Sequence, residues 1–137
     1  VNYSIENTKK FIEKKWPLVS ETQLPYVFKQ SDVGIVSLNS RHKTNNLPGK
    51  FVSYIQFGLP VICFANFKSE LVKMILDYNC GCVIDITRKK QHNNKLFTTF
   101  LNNFHKNKIL YSNNSLKLFN DYFSIETVVT KLLSKKI

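Results

Sequence analysis

Apolar residues along the chain fall into two rhythms. Val33 to Leu38, Pro60 to Phe64 and Cys82 to Ile86 are short apolar runs with little alternation, the pattern of strands covered on both faces. Between them, Phe51, Tyr54, Ile55 and Gly58 follow the i, i+3, i+4, i+7 spacing of a helix, and Leu71, Met74, Ile75 and Tyr78 repeat it. Strand, helix, strand, helix, strand with short joints predicts right-handed crossovers and a parallel sheet. The fold class is therefore α/β, a parallel sheet with flanking helices.

The flanking segments read as further helices. Ser4 can cap a helix whose Ile5, Ile12 and Trp16 share a face and which Pro17 ends. Leu18 and Val19 form a brief strand candidate. Ser20 and Gln23 have capping-box spacing, with Val19 and Leu24 placed as a hydrophobic staple, so a helix begins there and runs to about Gln30. Arg88 to Asn94 is polar and reads as a loop. Leu96, Phe97, Phe100, Leu101 and Phe104 form a helical stripe, and another helix includes Leu116 to Tyr122. The last helix takes Ser124 as N-cap and Phe123 with Val128 as staple, and its expected buried face is Ile125, Val128, Val129, Leu132 and Leu133. Helical spacing explains the aromatic stripes as core rather than as a cofactor pocket.

Composition narrows the class. The 137 residues amount to one domain, and 43% hydrophobic with 13% aromatic residues is globular. Lys plus Arg 20 against Asp plus Glu 9 leaves a net charge of +11. That charge suits nucleic acid, an anionic membrane surface or phosphorylated ligands. Only Arg41 and Arg88 are arginines, and lysine with abundant asparagine also follows from AT-rich codon usage. Cys63, Cys80 and Cys82 are odd in number and lie in or beside apolar runs, as buried thiols of a reducing compartment do. Cys80-Gly81-Cys82 offers two metal ligands, but no second pair or nearby histidine completes a site, so no metal is expected. The longest apolar run, Leu59 to Ala65, is far below the ~20 residues of a membrane span, and no signal-peptide pattern opens the chain.

Candidate chemistry sits after the first strand. In an open parallel sheet, ligands bind beyond the carboxyl ends of the strands, where loops meet helix N-termini. The loop there reads NSRHKTNNLPGK, bringing Arg41, His42 and Lys43 to that edge, then Pro48 and Gly49 at a helix start and Lys50 in the first turn. Proline suits the first helical position, and glycine lets a ligand approach the backbone. The unpaired N–H groups and the helix dipole attract an anion. Lys50 adds a full charge, and Ser53, three residues on, shares its face.

The run SDVGIVSL, then NNLPGKFVSYIQFGLPVI, then SELV and finally NCGCVIDI resembles the C-terminal domain of GT-B-fold glycosyltransferases of the retaining, nucleotide-sugar group. The nearest likeness is to bacterial O-antigen and capsule enzymes of the L-fucosamine transferase type. It is strongest over residues 31–86 and looser from about 20 to 137. The resemblance implies a Rossmann-like fold, a partial GT-B C-terminal domain, with residues 1–137 as the donor-binding half and an N-terminal acceptor domain missing. It implies a nucleotide-sugar donor, UDP-linked, with no metal, and a lipid-linked saccharide acceptor at the inner face of the plasma membrane. A cytoplasmic enzyme that is inactive as this chain alone is the corresponding expectation.

Site residues follow from the same resemblance. Gly49, Lys50, Arg41 and Lys43 are expected to hold the donor diphosphate. The acidic pair that commonly touches sugar and ribose, with seven residues between its members, falls on Asn45 and Ser53, both neutral, as in the O-antigen subgroup. Ser53 can bond a ribose hydroxyl, and Asn45 with Asn46 can approach the sugar, but no catalytic base is named. The glycine-rich sugar loop of the wider group is replaced by ANFKSE, in which Glu70 matches an acidic helix start. The competing class is a basic nucleic-acid-binding module. It accounts for the charge, yet the chain has no zinc-finger spacing, no RNP-type aromatic motif and no concentrated basic stripe. A non-catalytic subunit needing a partner chain is the third reading.

Overall fold

Residues 18–39 and 46–135 are described by the structure, a computed structural model of the chain. The sheet is built from β1 (Gly34–Ser37), β2 (Val61–Ala65) and β3 (Gly81–Asp85), in the order β1-β2-β3 with both pairings parallel. Val61 stands opposite Gly34 on one side and Gly81 on the other. The expected α/β architecture is present, an open Rossmann-like sheet flanked by helices. α1 (Leu24–Lys29) precedes β1, α2 (Gly49–Gln56) links β1 to β2, and α3 (Glu70–Asp77) links β2 to β3. α4 (Lys90–Lys106), α5 (Lys108–Tyr122) and α6 (Ile125–Ser134) follow β3.

Side-chain alternation along the strands sorts the interior into two cores. Val36, Val61, Cys63, Ala65 and Val83 face one way, onto Phe51 and Ile55 of α2, Leu71, Val72 and Ile75 of α3, and Leu118 of α5. Ile62, Cys82 and Ile84 face the other way, onto Phe100 and Phe104 of α4 and Tyr111 of α5. Because β2 and β3 are covered on both faces, their sequences carry no polar alternation; β1, expected to be covered likewise, is covered on one face only, with Ile35 exposed on the other. Phe51 and Ile55 are wholly buried, each contributing about 1.5–3 kcal/mol.

Two glycines let elements approach closely. A Cβ at Gly34 would enter the Tyr54 ring, and one at Gly81 would land on the Val61 carbonyl. Helix ends are equally specific. α2 closes on Gly58, at φ +70°, with Gly58 N–H donating to the Ile55 carbonyl at 3.1 Å and Leu59 N–H to that of Tyr54 at 2.9 Å, a Schellman ending. Asn79, at φ 48°, closes α3 in the same way, and Cys80 N–H reaches the Ile75 carbonyl at 3.1 Å.

Several expectations are corrected. Leu18 and Val19 form no strand; Leu18 is exposed and finds no sheet to join. The capping box does form, Ser20 N–H donating to Gln23 Oε1 at 3.2 Å, but its first turn is 3-10 before α1 begins. The Arg88–Asn94 loop is shorter than expected because α4 starts at Lys90, its first turns exposed and so needing no apolar residues. The helix containing Leu116 to Tyr122 begins as early as Lys108. α6 has its expected cap, Ser124 Oγ accepting from Thr127 N–H at 3.2 Å, yet none of its residues is buried. Its apolar stripe faces out because Thr127 and Lys131, on the opposite side, are what bind it to α5. The helix expected from Ser4 to Trp16 lies outside the described residues.

Candidate functional site

The parallel register delivers three loops to one edge. Leu38 N–H, just past β1, donates to the Phe64 carbonyl at 2.8 Å, and Ala65 pairs with Asp85. The starts of α2, α3 and α4 therefore follow from neighbouring strand ends. This is the edge at which open parallel sheets bind ligands.

At the start of α2, Pro48 is the N-cap, in extended backbone at φ −63°, ψ 133°, and no side chain caps the helix. The first internal bond is Phe51 N–H to the Pro48 carbonyl at 3.0 Å. Among the described residues the N–H groups of Gly49 and Lys50 meet no acceptor. A Cβ placed on Gly49 touches nothing within 4 Å, so open space lies beyond the backbone there. Lys50 is exposed, while Phe51, its neighbour, is fully buried and fixes the turn against the sheet. Proline thus sits one position earlier than expected, which leaves glycine as the first helical residue.

The other expected residues are placed as follows. Ser53 is half-buried one turn further on, its Oγ–H donated to the Gly49 carbonyl at 3.2 Å, which leaves the hydroxyl's lone pairs available. Asn46 is exposed in the approach to α2. Glu70 opens α3 beside its N-cap Ser69, whose Oγ accepts from Val72 N–H at 3.3 Å. It lines an open groove of about 650 Å³ with Phe67, Lys68 and Lys73. Glu70 also complements the α3 dipole. Arg41, Lys43 and Asn45 lie outside the described residues. Gly49, Lys50 and Ser53 are together on one helix, and Glu70 stands at the start of the next.

A neighbouring cluster escaped the sequence reading. Asp85, at the end of β3, is 4% exposed and covered by its own turn. Its Oδ1 accepts from Thr87 Oγ1 at 2.6 Å and from Thr87 N–H at 2.9 Å, and its Oδ2 lies 3.3 Å from Arg88 Nε. The Thr87 hydroxyl bond is the chief reason that its carboxyl is held below the usual range; burial opposes it, and the Thr87 N–H and Arg88 add to it. Arg88 also stands 5.0 Å over the Phe67 ring, tying the β3–α4 turn to the β2–α3 loop. Asn93 Nδ2 donates to the Asp85 carbonyl at 2.7 Å. The signal available was Asp-x-Thr-Arg directly after a strand, an Asx-turn pattern.

What this edge offers chemically is hydrogen-bond donors and positive charge: the bare amides at the start of α2 and Lys50 beside them, with Arg88, on the β3–α4 turn, already paired with Asp85. Among the described residues no group of His, Cys, Asp and Glu gathers as metal ligands. Cys80 and Cys82 pack into different cores on opposite sides of the sheet, which prevents a shared ion. Comparison with protein-family models, with curated proteins and with solved structures finds no match to this chain.

Proposed function

We propose that this chain is the donor-binding domain of a retaining, GT-B-type glycosyltransferase. It takes a UDP-linked sugar for transfer to a lipid-linked saccharide in surface-polysaccharide assembly. The observation that carries the reading is the uncapped start of α2, with two N–H groups meeting no acceptor among the described residues, open space beyond Gly49 and Lys50 in the first turn. Such a terminus attracts a diphosphate, at about 0.3–1 kcal/mol on a surface and up to ~2 kcal/mol where partly buried.

In this reading the site acts mainly on the leaving group. As the bond to the sugar breaks, negative charge grows on the nucleoside diphosphate, and fixed amide dipoles with Lys50 stabilise it without reorganisation. Arg41 and Lys43 assist from the preceding loop. Ser53 meets the ribose, and Asn45, Asn46 and Glu70 lie toward the sugar. The acceptor is bound by a second, N-terminal domain, so turnover requires that partner. On the sheet face that carries Ile62, Ile35 of β1 is 60% exposed, which supports a larger assembly because parallel sheets are ordinarily covered on both faces.

Isothermal titration of the chain with UDP and UDP-sugars is the test. Binding is expected, and Lys50→Ala weakens it about tenfold, the effect of one charge-assisted contact of ~1.4 kcal/mol. Absence of binding by the parent chain, or a Lys50→Ala variant that binds as the parent does, removes the proposal.

A further inference from the structure

The loops leaving β2 and β3 part to opposite faces of the sheet. The loop after β2 enters α3, on the face that carries Val61, Cys63 and Val83, whereas the turn after β3 enters α4, on the face that carries Ile62, Cys82 and Ile84. Where neighbouring strands send their loops apart in this way, an open parallel sheet has the crevice in which ligands bind. Here it lies between the carboxyl ends of β2 and β3, and Arg88, 5.0 Å over the Phe67 ring, bridges the two loops.

On the α4 side of the crevice is a cavity of about 140 Å³, lined by Phe64, Ile84, Asn93, Asn94 and Phe97. An apolar cavity of about 150 Å³ takes benzene, so this one has the size of a single six-membered ring and not of a fused pair. One polar atom decides which ring. Asn93 Nδ2 donates to the Asp85 carbonyl at 2.7 Å, which fixes the orientation of the amide. Its Oδ1 is shielded from solvent and meets no donor among the described residues. A buried acceptor left in that state is costly and marks a missing partner. Benzene leaves it unsatisfied, whereas a ring that carries N–H satisfies it. Asn94 and Phe97, the exposed members of the lining, can turn aside for an entering ring without disturbing either core.

We propose that this crevice binds a single six-membered heterocycle with a ring N–H, the imide class to which uracil and thymine belong, with Phe64, Ile84 and Phe97 against the ring and Asn93 Oδ1 accepting the N–H. The site makes no use of the start of α2, so the inference is independent of the nucleotide-sugar reading.

Uracil is the probe, titrated into the isotope-labelled chain while the asparagine side-chain amide signals are followed by NMR. The Asn93 and Asn94 signals are expected to shift and saturate. Thymine, larger by one methyl but keeping both ring N–H groups, should bind within about fivefold of uracil. Dimethyluracil with both ring nitrogens methylated should bind at least about tenfold more weakly, the loss of one hydrogen bond to a buried acceptor. Asn93→Ala should weaken uracil about as much. Because that change also removes the bond to the Asp85 carbonyl, Phe97→Ala, at an exposed position, is the second variant; it should lower uracil affinity with the melting curve unchanged. No shift at saturating uracil overturns the proposal, since a buried water and not a ligand then answers Asn93 Oδ1. So does a methylated ring that binds as uracil does. Inorganic pyrophosphate, which carries no ring, reports the start of α2 separately: pyrophosphate binding without uracil binding removes this site and leaves the nucleotide-sugar reading in place.

Discussion

Asp85 shows how one side chain holds the carboxyl edge together. It accepts two bonds from Thr87 and pairs with Arg88, which in turn covers Phe67. Its folded-state pKa lies below the ordinary value, so it stabilises the fold above that ordinary value, and the contribution is lost as pH falls through the depressed one. Asp85→Ala is expected to cost about 1–3 kcal/mol at neutral pH, the range for breaking buried hydrogen bonds. In urea unfolding, the gap between parent and variant should shrink as the solution is acidified below the unfolded-state pKa of about 3.9. A gap constant with pH would show that the carboxylate contributes shape and not charge. The residues NCGCVIDITRKK made the strand legible, but not this cluster. A hydrogen bond between Asp85 and Thr87 can be anticipated from spacing, whereas the Arg88–Phe67 contact joins segments that only the sheet brings together.

α2 concentrates the element-scale argument. Both ends were marked in LPGKFVSYIQFGLP, and the two glycines do different work. Gly58 occupies left-handed backbone at φ +70°, and a Cβ there would meet Ser112 Oγ at 2.7 Å. Gly58→Ala should therefore cost about 1–2 kcal/mol for the backbone conformation alone, read as a fall in thermal midpoint. Gly49 has no such need. Gly49→Ala should leave stability unchanged or raise it by about 0.4–1 kcal/mol through the unfolded chain, while weakening UDP binding because a methyl occupies the approach to the amides. Unaltered UDP affinity in that variant would mean that no ligand lies against the Gly49 backbone. The left-handed Asn79 at the end of α3 was not anticipated, since asparagine is common throughout this chain and only its position after Asp77 and Tyr78 makes it a cap.

For the whole molecule, two cores lie back to back on the three strands found among the described residues, and because they share those strands they are expected to unfold as one unit. The three thiols report on both cores, Cys63 and Cys80 in one and Cys82 in the other. Burial pushes Cys63 up to about 12, with Cys82 adding to it, Cys80 up to about 12, and Cys82 up to about 11. The thiolate is the reacting form, so native protein at neutral pH should resist a disulfide reagent, and all three should react together on unfolding. Reaction of Cys82 alone, with the helical signal intact, would show that the α4 and α5 side opens independently. Among the described residues no helix is long and apolar enough to cross a membrane, as the sequence led one to expect. By itself the sequence determined the alternation of strand and helix, the parallel direction of the sheet, the buried thiols and the ends of α2, because periodicity and backbone-specific residues act over a few neighbours. The tertiary structure alone decided which side of α6 meets the body. That choice depends on bonds to Asn120 and Asp121 at the end of α5, and an amphipathic stripe records only that one face is apolar, not whether the protein or its surroundings will cover it.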